Sequence, residues 1–353
     1  MITGSYPPMR CGVGAYTQRL ALALAELKDV KVTVLTDERA GPILERDGVE
    51  VLPVIRGWGI TELAKVTKYV RRITPDVVHI QYPTQGYSGR MPALLPLLMR
   101  FLCKPCVQTW HEPVLGRGGG WQSIGLDVLI TVREELMTKI PRLTQRALRN
   151  TRVSWIPAAS LLPTVTLHDD ERLKIRQQYV SDGEALLVYY GFVAPLKGIE
   201  VLLEIVAKTK AQLLMACDFQ QSDSYHQSLL NLIYEMGIES RVTVVGFLPD
   251  EQLSCILAAS DAVVFPFRDG ALACNSTIDG AVAQGAFVLT TSLVDCGYNK
   301  DRNIYFAKPG NVEEMIASIQ RYAGYRIPCK PSTSEWRSIA EQHLNIYKQL
   351  AAI

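Results

Sequence analysis

Short β-rich runs alternate with helical patterns along the whole chain, and this alternation leaves few folds open. The strand candidates of the first half are 31–36, 49–54, 76–82, 106–111, 127–132 and 153–158. Those of the second half are 186–192, 211–217, 241–247, 262–267, 287–292 and 303–308. Strands separated by helices pair in parallel, and the helices cover the sheet. The pattern runs twice over 353 residues, more than one hydrophobic core usually serves. Two Rossmann-like, doubly wound α/β domains are therefore expected, 1–160 and 161–334. The stretch Ala158–Asp170, with Pro163 and little periodicity, reads as the linker. Ligands of open α/β sheets sit beyond the C-terminal strand ends, which places the expected site in a cleft between the domains.

Hydrophobic residues make up 48% and charged residues 20%, the balance of an ordinary globular protein. A net charge of +2 gives no global reason to expect nucleic acid. Most of the eight cysteines lie in apolar runs, where Cys acts as a small hydrophobe. With no signal-peptide pattern, a reducing cytoplasm is the expected compartment. Cys103 and Cys106 have redox-motif spacing, but they stand where a helix hands over to a strand, so a structural role is expected. No second pair of ligands is spaced for zinc. The longest apolar stretch, 91–103, is too short to span a bilayer, contains Arg100 and reads as a buried helix.

Three segments share one design: a strand end, a turn of small residues, then a helix start. They are PPMRCGVGAY (7–16), GFVAPLKG (191–198) and PFRDGALACNSTIDGAVAQG (266–285). Such turns offer N–H groups and the positive end of a helix dipole to an anion. The first carries Arg10 and the second Lys197, and Lys197 opens a helix against the dipole preference. A phosphate-bearing ligand is expected. Gly12, Val13 and Gly14 would let backbone approach it, although a tight strand-to-helix turn explains them too. Asn275, Ser276 and Thr277 precede a helix; capping alone explains them as well as capping plus ligand binding does. Tyr82, Gln85, Tyr87, Trp110 and Trp121, with the loop 116–120, lie on the rim of the first domain and are either acceptor surface, where aromatic faces pack on sugar C–H faces, or core and rim packing alone. The segment 133–152 carries Arg133, Lys139, Arg142, Arg146, Arg149 and Arg152 against Glu134 and Glu135. It is either a contact with an anionic membrane holding a lipid-linked acceptor or a solvated helix face. There is no Asp-x-Asp motif to hold a metal-bridged diphosphate.

Together with DVVHIQYPTQGYS (76–88), the strand ending in His111, RVTVVGFLPDEQL (241–253) and SEWRSIAEQHLNIYKQL (334–350), these motifs resemble family 4 glycosyltransferases over nearly the whole chain. These are retaining enzymes with the GT-B fold, two Rossmann-like domains facing across a cleft. The resemblance implies an acceptor-binding first domain, a nucleotide-sugar-binding second domain and a last helix, 335–353, that crosses back to the first. It implies that Lys197 pairs with the donor diphosphate, that His111 lies near the donor sugar and its phosphate, and that Gly12–Gly14 approach them. Backbone around Phe247 and Leu248 would meet the base. Phe192 stands where the family often has an arginine. The family's two glutamates would fall at Leu272 and Gly280, neither acidic. Asp269 is the expected replacement that holds donor-sugar hydroxyls. Asp279 is a second candidate, turned about 100° away on its helix.

No protein nucleophile, cofactor or metal is implied; a donor phosphate oxygen would act as base. The donor would be a UDP- or GDP-sugar, and the acceptor a glycan, a lipid-linked or a small molecule, as in surface polysaccharide or glycoconjugate synthesis. Peripheral contact at the inner membrane face would follow from 133–152. Members usually have several apolar residues before the place of Thr3-Gly4-Ser5, so a frayed first strand is expected here. Two alternatives remain: a catalytically silent sugar- or partner-binding subunit, and another GT-B enzyme such as a sugar-nucleotide epimerase.

Overall fold

The computed structural model describes residues 1–113, 122–181, 183–220, 222–271, 275–329 and 332–352, with backbone alone at 332–334. The chain divides into two compact units. One comprises Met1–Ala159 and Thr333–Ile353, the other Ser160–Ser332.

In the first unit, β1 (Val32–Asp37) lies parallel to β3 (Val49–Ile55), and β2 (Leu44–Arg46) runs antiparallel along β3. The strands β4 (Val78–Tyr82), β5 (Cys106–Trp110), β6 (Val128–Thr131) and β7 (Arg152–Trp155) follow in parallel order. Ile2 bridges the two groups by pairing with Leu35 on one side and Ile80 on the other. The first strand is as short as the sequence says, but it is not frayed. Ile2 N–H donates to the His79 carbonyl at 2.8 Å, Gln81 N–H to Ile2 at 2.9 Å and Thr3 N–H to Leu35 at 3.1 Å. The Ile2 side chain is buried, which holds this short segment in place. The chain turns from Ile2 to β1 on one side and later to β4 on the other, so its switch point lies between Ile2 and β4.

The second unit is one seven-stranded sheet in the order β10-β9-β8-β11-β12-β14-β13. Its strands are β8 (Leu186–Tyr190), β9 (Gln212–Ala216), β10 (Val242–Val244), β11 (Ala262–Phe265), β12 (Val288–Thr291), β13 (Gly297–Asn299) and β14 (Ile304–Ala307). Only β13 among these is antiparallel to its neighbour. β8, β11 and β12 are buried along their whole length, because helices cover both faces, and they read as continuous apolar runs. The helix Ile199–Lys208 buries Ile199, Leu202, Leu203, Ile205 and Val206, the stripe expected of a covering helix. The chain leaves β8 for β9 on one side and returns to β11 on the other. The switch point, where such sheets bind ligands, is thus between β8 and β11.

Two segments differ from expectation. The apolar stretch 91–103 forms a 3₁₀ turn and the helix Leu95–Phe101; Met91, Leu95 and Met99 are buried while Phe101 is 77% exposed, so one face alone meets the core. The basic segment 133–152 contains two short helices, Leu136–Lys139 and Arg142–Ala147, because Pro141 cannot continue the first. No helix among the described residues is long and apolar enough to cross a membrane.

Candidate functional site

At the switch point of the second unit, the β8 loop carries Phe192 and Lys197, and the β11 loop carries Asp269. Backbone packing ties the loops together. Gly198 has φ +67°, and a side chain there would place its Cβ 2.0 Å from the Pro266 carbonyl oxygen. Only glycine allows this approach. Arg268 N–H donates to the Leu196 carbonyl at 3.1 Å, and the Arg268 guanidinium meets Glu200 at 2.9 Å. Lys197 is half-buried, with its ammonium 4.8 Å from the Phe267 ring centroid. Burial lowers its pKa. Among the described residues no carboxylate pairs with it, so it is a positioned cation rather than a solvated surface lysine. Asp269 is exposed, in a loop pinned to β12 by Ala271 N–H to the Thr291 carbonyl and the Thr291 hydroxyl to the Phe267 carbonyl.

The helix Ser276–Ala283 begins beside the same loops. The Asn275 carboxamide oxygen accepts from Thr277 N–H at 3.2 Å and from the Thr277 hydroxyl at 2.5 Å. These side chains are engaged in the cap, so what the helix start offers an anion is backbone N–H and the exposed Ser276. Asp279, the second candidate for holding the donor sugar, pairs with Arg302 at 2.9 Å. Phe192, 45% exposed, meets Phe247 edge-on at 5.9 Å between ring centres, with Leu248 half-buried nearby in sequence. An apolar pair therefore stands where an arginine was looked for.

In the first unit, the helix Gly12–Ala25 starts at Gly12. A Cβ at Gly12 would meet open space, whereas one at Gly14 would lie 3.0 Å from the Ser5 carbonyl. Gly14 thus serves helix packing; Gly12 and the half-buried Val13 are the surface a ligand can reach. His111, just after β5, holds its Nε2 at 2.8 Å from the Gln81 carboxamide oxygen and meets the Tyr16 ring edge-on at 4.7 Å. Burial, then the Arg133 charge, push its pKa down to about 3, so the imidazole is neutral.

Beyond the ends of Ile2 and β4 lies a groove of about 590 Å³, lined by Tyr82, Thr84, Tyr87, Arg90 and Gln122 among others. Thr84 Oγ1 and Gln122 Oε1 are buried without a hydrogen-bond partner among the described residues. Such atoms are costly unless a ligand or water meets them. Tyr82 and Tyr87 stack at 5.9 Å, and the Tyr87 hydroxyl donates to the Gln81 carbonyl at 3.0 Å. Gln85 is exposed outside the groove lining. Trp110 is fully buried and donates to Gln108 at 2.9 Å. Its expected place on a sugar-binding rim is therefore corrected: it belongs to the core, on the inward face of β5. Trp121 and the loop 116–120 lie outside the described residues.

The family model of the glycosyl transferase 4-like domain matches residues 11–191, just over half of the chain. The chain belongs to this family. A second model, glycosyl transferases group 1, matches residues 184–324. An uncharacterised glycosyltransferase of Methanocaldococcus jannaschii is 23% identical over 188 residues, 48% of this chain and 47% of that one. The chain spans less than half the length of the curated relatives it matches. Sucrose-phosphate synthase of Thermosynechococcus elongatus has a similar structure, with TM-score 0.69 and 18% identity over 97% of this chain and 94% of that one. HepE of Anabaena, solved in complex with UDP-glucose, gives TM-score 0.69 and 17% identity over 99% and 98%. These likenesses show the GT-B fold.

Within this glycosyl transferase 4-like protein, one departure has a structural cause. A Cβ at Gly280 would lie 2.3 Å from the Tyr190 hydroxyl oxygen and 3.1 Å from Leu162. That hydroxyl donates to the Thr277 carbonyl at 2.5 Å, so Tyr190 fills the space a glutamate would need. Leu272, the other place, lies outside the described residues. Sequence reading missed Thr84, Arg90 and Gln122 of the groove, because they come from separate loops without a shared spacing. It also missed Gln81, whose one signal was its position two residues from His79 on a strand.

Of the basic segment, Arg142, Arg146 and Arg149 line a hollow of about 340 Å³ with Gln145. Arg133 stands instead beside His111, and Lys139 pairs with Glu135 at 3.7 Å. Cys106 is buried in β5, where burial raises its thiol pKa, and Cys103 is exposed. The redox spacing is therefore structural. Among the described residues no group of three or more His, Cys, Asp or Glu side chains is arranged to hold a metal ion.

Proposed function

We propose that the protein is a retaining glycosyltransferase that moves a sugar from a nucleoside-diphosphate sugar, UDP- or GDP-linked, to an acceptor hydroxyl. The observation that carries this is the Lys197 ammonium, held without a carboxylate partner among the described residues at the β8/β11 switch point beside a capped helix start. That the HepE structure contains UDP-glucose supports the same donor class. Lys197 and the helix N–H groups neutralise charge on the departing diphosphate without a metal ion or cofactor. Asp269 accepts from donor-sugar hydroxyls.

The acceptor occupies the groove between Tyr82, Tyr87 and Gln122, on the first unit. Its hydroxyl oxygen bonds to the anomeric carbon as the bond from that carbon to the diphosphate oxygen breaks. The hydroxyl proton passes to a donor phosphate oxygen on the same face, so configuration is retained. The setting is glycan, lipid-linked or small-molecule glycosylation on the cytoplasmic side, with Arg142, Arg146 and Arg149 touching anionic membrane. The test is a turnover screen of UDP- and GDP-sugars with the product anomer read by NMR. An inverted product rejects the retaining mechanism.

One observation favours a second reading. Tyr190 closes the site of one family glutamate, which suits a catalytically silent sugar- or partner-binding subunit. Tight nucleotide binding with no turnover on any acceptor decides for that reading.

A further inference from the structure

We propose that Gln81 is a positioning residue that fixes His111 as its Nε2–H tautomer, so that His111 meets ligand with an Nδ1 lone pair. His111 then accepts from a sugar hydroxyl and does not face a phosphate oxygen. This rests on the donor-and-acceptor reading above and deepens it.

His79 and Gln81 on β4 are two residues apart, as are Thr109 and His111 at the end of β5. Period-two alternation puts each pair on one face, and the register sets Gln81 opposite Thr109. Each hydrogen bond then dictates the next. The Gln81 Oε1 only accepts, so the His111 Nε2 at 2.8 Å donates. The Gln81 Nε2 only donates, so the His79 Nε2 at 3.2 Å accepts, and it accepts from the Thr109 hydroxyl at 2.7 Å as well. The His79 proton is left on Nδ1, which donates to the Tyr347 hydroxyl at 2.6 Å. The relay thus runs from the C-terminal helix through two strands to His111.

Gln81 is 0% and His79 2% exposed, so water does not substitute for either partner. Burial holds His79 and His343 neutral as it does His111, and the Arg133 charge lowers the His111 pKa further. A neutral imidazole has one N–H. With that proton given to Gln81, Nδ1 is left as an acceptor, and it makes no hydrogen bond among the described residues. Two acceptors repel, so an ionised phosphate oxygen is a poor partner for it, whereas a hydroxyl donates well.

The test is a nitrogen–proton correlation spectrum of the imidazole groups in the full-length protein at neutral pH, with His111 assigned through His111→Gln. The expected spectrum shows a protonated Nε2 and an unprotonated Nδ1 for His111. In Gln81→Leu the line moves toward a mixture of tautomers. Adding inorganic pyrophosphate leaves the wild-type line in place. An Nδ1–H tautomer or an imidazolium in wild type overturns the proposal, as does an unchanged tautomer in folded Gln81→Leu. Protonation of Nδ1 on adding pyrophosphate overturns the hydroxyl assignment. If Gln81→Leu does not fold, the wild-type spectrum alone decides. The spectrum is read without turnover, so failure of the glycosyltransferase reading is a separate result.

Discussion

Lys197 and Gly198 are adjacent and do different work. Lys197→Ala removes a cation without opening a core cavity, so kcat is expected to fall by ~10²–10³ while thermal stability stays near wild type. A wild-type kcat contradicts its role. Gly198→Ala places a Cβ against the Pro266 carbonyl in a left-handed backbone, and is expected to cost roughly 1–3 kcal/mol or more in urea unfolding. Trp110 separates core from rim at the same scale. Its burial predicts that Trp110→Ala costs about 3–5 kcal/mol of stability. A selective rise in acceptor KM at unchanged stability would restore the rim reading.

Among the elements, the β8 strand and the helix Ser276–Ala283 are fitted through Tyr190 and Gly280. Gly280→Glu is expected to unfold or strongly destabilise the second unit, because the Tyr190 hydroxyl and Leu162 occupy the space. Tyr190→Phe removes the hydroxyl's bond to the Thr277 carbonyl, which lies in the first turn of its helix and keeps its intrahelical partner, and is expected to cost ~0.5–1.5 kcal/mol in chemical denaturation. These elements also show what was legible beforehand. The strand at 186–192 and those at 262–267 and 287–292 are visible because burial on both faces demands unbroken apolar runs. The edge strands β2 and β13 escaped notice, since three exposed or half-buried residues leave no periodicity. The Lys197 turn was readable because Pro, Lys and Gly are local signals. The groove was not, because Thr84, Arg90 and Gln122 meet through tertiary packing alone. Trp110 was misassigned because a sequence shows a residue's type but not the core that engages it.

At the scale of the molecule, three histidines of the first unit are held neutral by burial, with His343 near 4 and His111 near 3 against an ordinary value of 6.5. The unfolded chain binds more protons below that value. The stabilisation is full above about pH 6.5 and is lost as pH falls toward 4, at ~1.4 kcal/mol per pH unit for each histidine. Urea midpoints that stay flat between pH 7 and 5 would contradict this. The first unit also needs its returning helix, which buries Trp336, Ile339, Ala340 and Ile346. The most direct test of the central claim is calorimetric binding of UDP, GDP, ADP and TDP to wild type and Lys197→Ala. The account predicts that one nucleotide binds wild type and is weakened at least tenfold by the substitution. No binding of any nucleotide, or equal binding to both proteins, would contradict a donor site at Lys197.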